Sequence, residues 1–160
     1  MNVPEHSTPA IRISADAHAV MHSHLAQSYP DEGCGILIAR PSTTVPIDIH
    51  RAIATRNSET VRGEDRYSID PLDYRSIEAE LDRGNDGSRI AAFFHSHPDA
   101  PARPSAVDLE MAQGLFDVTR AFYVYAIVRV NQGVPVETRF WRLNVDASQF
   151  TELSAQTLAE

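Results

Sequence analysis

Ile90-Ala91-Ala92-Phe93-Phe94-His95-Ser96-His97-Pro98 is the stretch that decides the fold. Its first five residues have no polar face, which predicts a central strand covered on both sides. The run then passes directly into His95-Ser96-His97. Side chains two apart on a strand share a face, so both imidazoles point one way and Ser96 the other. Pro98 stops the strand after the second histidine.

Working outward, Pro101 and Pro104 stiffen a loop that returns to a helix predicted from Ser105 through Phe116, with Asp108 in its first turn. Upstream, Asp70-Pro71 supplies an N-cap and a first-turn proline for a helix running to about Arg83 and ending at Gly84. A short strand is predicted over Arg66 to Asp70. Gly35 to Ala39 and Val45 to Thr55 read as strands, and Ala17, Val20, Met21 and Leu25 recur at helical spacing after the N-cap Ser14. Phe122 to Val130 and Val134 to Leu143 flank Asn131-Gln132-Gly133, a hairpin signal. Residues 1–10 are expected to form a flexible arm, 11–145 a single domain, and 146–160 a tail or short helix. The interleaved elements and the late hairpin give an α/β (mixed α+β) class, with a mixed, largely antiparallel sheet packed by helices.

The 160 residues suit one domain. Charge is 14 − 22 = −8, and all 14 basic residues are arginine. The absence of lysine excludes Schiff-base chemistry, a lysine nucleophile and a Gly-Lys phosphate loop. Net acidity argues against broad nucleic-acid binding. A single cysteine, Cys34, excludes an internal disulfide and any zinc site needing two thiolates. With no basic start before an apolar run and no apolar stretch long enough for a membrane span, a soluble cytoplasmic protein is expected.

Histidine and carboxylate therefore remain as metal ligands. His95, His97 and Asp108 would bind one zinc ion and leave its fourth position for water, the pattern of a catalytic site. Ser105-x-x-Asp108 also reads as helix capping, and the two readings are compatible. The chance that His, Ser or Thr, His, Pro, Ser and Asp fall at these offsets anywhere in this chain is on the order of one in a hundred thousand. His22-Ser23-His24 repeats the pattern but falls on a helix, where positions two apart diverge by about 200°. His18 and His22, four apart, suit a solvated helix face better than a chelate. Cys34 reads as a small buried hydrophobe. Spacing alone does not choose a general base among Asp31, Glu32, Glu59, Glu64 and Glu110.

His95-Ser96-His97-Pro98 through Ser105 and Asp108 resembles the His-Ser/Thr-His-x7-Ser-x-x-Asp motif of the JAMM (MPN-domain) zinc metallopeptidases. Pro30-Asp31-Glu32-Gly33-Cys34-Gly35, Tyr67-Ser68-Ile69-Asp70-Pro71 and Phe140-Trp141-Arg142-Leu143 extend the similarity over residues 12 to 143. The resemblance implies an MPN-like fold with cytidine-deaminase-like layering and one zinc per chain on His95, His97 and Asp108. It further implies Glu32 as general base and Ser105 as oxyanion donor. Among family activities it points to the stand-alone bacterial type, a peptidase acting at the C-terminal Gly-Gly end of a small ubiquitin-like sulfur-carrier protein. A ubiquitin-like isopeptidase, a small-amide or peptidoglycan hydrolase and a non-catalytic scaffold are the alternatives. Neither nucleic acid nor membrane is an expected partner.

Overall fold

The structure is a computed structural model and describes residues 8–42 and 44–159. In chain order the elements are β1 (Ile11–Ile13), α1 (Ala15–Ser28), β2 (Cys34–Ala39), β3 (Ile47–Thr55), α2 (Pro71–Gly84) and β4 (Arg89–Pro98). They continue with α3 (Ala106–Thr119), β5 (Val124–Asn131), β6 (Val134–Leu143), β7 (Phe150–Leu153) and β8 (Ala155–Thr157). The strands make one eight-stranded sheet in the order β7-β6-β5-β4-β2-β3-β1-β8. β4 pairs antiparallel with β2 and parallel with β5, so it is central, as its unbroken apolar run requires.

Alternation along the strands sorts two cores. Leu37, Ala92, Phe94, Val124, Ala126 and Val128 face α1, which contributes Ala17, Met21 and Leu25. Ile36, Ile38, Phe93 and Tyr125 face the other way, against Ile77 of α2 and Ala112 of α3. His95 and His97 share the parity of Phe93, so the strand delivers both to the face that α3 covers. The mixed sheet packed by helices matches the expected class.

Close packing of β2 on β4 depends on Gly35. A Cβ there would sit 2.1 Å from the Phe94 ring and 2.5 Å from the Ile53 carbonyl oxygen. Gly35→Ala is expected to destabilise the protein by about 1–3 kcal/mol, read as a lower urea midpoint. An unchanged midpoint would show that the strands yield.

Three expectations are corrected. Beyond residue 145 the chain is neither a helix nor a free tail. β7 pairs antiparallel with β6, and β8 runs parallel to β1, so both ends of the sheet are built from it. Arg66 to Asp70 forms no strand beyond a single Asn57–Ile69 bridge, because these residues turn back over the site rather than along a neighbour. The third helix runs past Phe116 to Thr119 and ends where Arg120 takes a left-handed φ of 57°. Of the expected N-terminal arm, residues 1–7 lie outside the described residues. Ala10 is tied at both backbone groups, donating to Ser154 Oγ at 3.0 Å and accepting from the Ile47 amide at 2.8 Å. The hairpin turn has positive φ at Gln132 (46°) and Gly133 (83°), matching the twist of β5 and β6. Among the described residues no helix is long and apolar enough to cross a membrane.

Candidate metal centre

His95 and His97 leave the C-terminal half of β4, and Asp108 comes to them from the first turn of α3. Ser105 caps that helix: its hydroxyl accepts from the Asp108 amide at 3.1 Å, and its own amide donates to Asp108 Oδ2 at 2.8 Å. The capping box thus orients the carboxylate toward the histidines. Asp108 Oδ1 lies 3.2 Å from His95 Nε2 and Asp108 Oδ2 3.0 Å from His97 Nε2, while the two Nε2 atoms are 3.2 Å apart. Ligands 2.0–2.1 Å from a tetrahedral zinc are separated by about 3.3–3.4 Å along each edge. The donor set therefore fits such an ion in both chemistry and spacing.

The shell around these groups is fixed by the fold. His97 Nδ1 donates to the Pro101 carbonyl at 2.8 Å, which turns Nε2 toward Asp108, as a donor in the imidazolium and as the lone-pair nitrogen once the ring is neutral. Trp141 Nε1 donates to the Ala102 carbonyl at 3.1 Å and braces the same proline loop. Tyr67 stacks on His95 with ring centroids 4.4 Å apart. His95 Nδ1 is buried with no partner among the described residues. Burial lowers His95. For His97 burial acts in the same direction, but Asp108 and the Pro101 carbonyl outweigh it and leave the imidazole raised. Burial would raise Asp108, yet hydrogen bonds from the two histidines hold it well below the usual carboxylate range.

Glu32 reaches this centre through strand register. Cys34 pairs with His95 in the antiparallel β2–β4 ladder, so two residues further back Glu32 comes opposite His97. It also has the parity of Ile36 and Ile38, on the α3 side. Ser96, on the opposite face from the histidines, secures the approach: its hydroxyl accepts from the Gly33 amide at 2.9 Å, and its amide donates to the Gly33 carbonyl at 3.1 Å.

Of the five acids that spacing left open, only Glu32 is buried, at 6% exposure. Glu59 instead accepts from the Val61 and Arg62 amides, each at 3.1 Å, and Asp31, Glu64 and Glu110 are exposed. Burial pushes the Glu32 carboxyl up to about 8, with His97 pulling it down and Asp108 adding to the rise.

That shift fixes a pH dependence for the metal-free protein. Glu32 has an ordinary value of 4.5 and a folded value of about 8, so between them the folded state holds the extra proton. The stability is fully present below the lower value and declines as pH rises through the upper one. The total is on the order of a few kcal/mol. In urea unfolding of metal-free protein, the advantage of Glu32→Gln over wild type should grow across this window. A difference independent of pH would contradict the placement.

The other sequence candidates are structural. His22 Nε2 meets Thr138 Oγ1 at 2.7 Å, and burial takes the imidazole down to about 4. His24 Nε2 donates to the Cys34 carbonyl at 3.0 Å. Cys34 is fully buried, and burial pushes its thiol up to about 11, which suits an inert side chain. Sequence reading passed over Tyr67 and the Pro101 carbonyl as parts of the site. An aromatic residue just ahead of the Asp70-Pro71 helix start was the available sign of the first, and the second had none.

The chain belongs to the family of prokaryotic homologs of the JAB domain, which it matches over residues 14–144. It is 31% identical over 104 residues to the Lys-63-specific deubiquitinase BRCC36 of Xenopus laevis, covering 62% of this chain and 39% of that protein. A desampylase of Haloferax volcanii is 30% identical over 108 residues, which cover 64% of this chain and 72% of the relative. The chain thus spans about two fifths of the curated deubiquitinase. The solution structure of protein DSY2949 from Desulfitobacterium hafniense shares the fold, with a TM-score of 0.75 at 24% identity and 94% of each chain covered.

Proposed function

We propose that the protein is a cytoplasmic zinc-dependent peptidase of the JAMM type. Its substrate is an amide bond at the C-terminal Gly-Gly end of a small ubiquitin-like sulfur-carrier protein. The observation that carries this reading is the convergence of His95, His97 and Asp108 beside a buried glutamate. His95, His97 and Asp108 would hold a zinc ion, which would supply a Lewis acid able to acidify water near neutral pH. Glu32 takes the proton from the attacking water and passes it to the leaving nitrogen. The Ser105 hydroxyl accepts from the Asp108 amide, so its own O–H remains available for the developing oxyanion.

A cleft of 440 Å³ runs beside the site between Tyr67, Ser68, Val107 and Met111. An extended Gly-Gly tail suits such a cleft because glycine lets the backbone approach closely. The names of the deubiquitinase and desampylase relatives support action on ubiquitin-like proteins. They also favour one second reading, cleavage of an isopeptide bond to a lysine side chain.

Mass spectrometry after incubation with a ubiquitin-like carrier extended beyond Gly-Gly separates the two. Release of the extension is the expected result. An intact tail alongside cleavage of a Lys-63-linked ubiquitin pair would favour the isopeptidase, and no cleavage of either would overturn the enzyme reading.

A further inference from the structure

We infer that Asn57 is a positioning residue that sets the backbone of Glu32, a role resting on the assignment of Glu32 as general base. Glu32 belongs to no strand or helix, so no regular ladder fixes it. Both of its backbone polar groups are instead satisfied by the loop spanning residues 57–69. Its amide donates to the Gly63 carbonyl at 2.6 Å, and its carbonyl accepts from Asn57 Nδ2 at 3.0 Å.

The loop has little apolar anchorage of its own. Tyr67 is its single buried side chain, so hydrogen bonds must give it shape. Asn57 supplies them from the neck, where it bridges Ile69. Besides the Glu32 carbonyl, Nδ2 donates to the Arg66 carbonyl at 3.1 Å. Oδ1 accepts from the amides of Glu59 and Ser68, each at 3.0 Å. Two donors and two acceptor lone pairs are all that a primary amide possesses, and here every one is used. One side chain thus folds the loop and ties it to the residue bearing the base. Aspartate, of the same shape, keeps the acceptors and loses both donors, which sets a carboxylate against two carbonyls.

Asn57→Asp therefore keeps the loop's bonds from the Glu59 and Ser68 amides and breaks those to the Glu32 and Arg66 carbonyls. With a Gly-Gly-extended carrier as substrate, kcat should fall about ten- to a hundredfold, since misplacement of a catalytic group by an ångström costs this much. KM should stay within about twofold, and zinc content should match wild type. Amide exchange followed by NMR should quicken about tenfold at Glu32 while Glu59 and Ser68 stay protected. Ser58→Ala removes only a neighbouring neck bond to the Ser68 carbonyl and should change none of these readings.

Wild-type kcat together with wild-type exchange at Glu32 would overturn the inference. So would equal losses in Asn57→Asp and Ser58→Ala, which would mark general loosening. If Asn57→Asp does not fold, Asn57→Ser, which withdraws the whole amide without adding charge, is read by exchange at Glu32 against Ser58→Ala: faster exchange at Glu32 in Asn57→Ser alone supports the inference, and equal rates overturn it. Should the wild-type protein leave every carrier tail intact, the proposed activity falls by itself, and exchange at Glu32 still decides what Asn57 does.

Discussion

Glu32→Gln is expected to keep one zinc per chain and lose about a hundred- to ten-thousandfold in turnover, the range associated with removal of a general acid–base. The amide has nearly the same shape, so contacts through the backbone with Gly63, Asn57 and the Gly33–Ser96 clasp survive. What disappears is a group that can shuttle a proton. None of the three converging ligand atoms belongs to Glu32, so binding of the ion does not depend on it. Parallel measurement of zinc content and kcat checks both halves. Normal turnover by this variant would remove Glu32 as the base.

His97→Ala should lose metal and activity together. The substitution removes one of three donors and breaks the imidazole's bonds to Asp108 at 3.0 Å and to Pro101 at 2.8 Å. Asp108 then keeps His95 and the Ser105 amide as partners for its carboxylate, and the proline loop loses a tether. Without an ion to acidify it, water would not ionise near neutral pH, so essentially the whole chemical rate should go. Stoichiometric zinc in the purified variant would show that the ligands are elsewhere.

These two expectations differ in how directly the chain announces them. The histidine pair was legible because strand parity is local: five apolar residues before His95 declare a buried strand, and alternation does the rest. Asp108 was legible because a proline-stiffened loop and a capping box fix a helix start. Glu32 was not, since its placement follows from the register of β2 on β4, residues some sixty apart in sequence. Resemblance to the JAMM peptidases singled it out where spacing left five acids level.

The sheet edges were hidden for a different reason. β1 offers a single alternation, Ile11 and Ile13 buried about exposed Arg12, too short to mark a strand, and β8 is exposed throughout, so backbone pairing alone makes β8 a strand. Asn57 gathers partners from separate segments, Glu32 among them, and no local rule reports such a hub. The class and the central strand thus came from short-range physics, and the remainder from long-range pairing.

An anomalous-scattering map of zinc-loaded crystals tests most directly whether two imidazoles and one carboxylate hold a single ion. One peak per chain is expected, about 2.0–2.1 Å from Nε2 of both His95 and His97 and at bonding distance from an Asp108 oxygen. A well-ordered crystal with its peak elsewhere, or with none after loading, would contradict that binding.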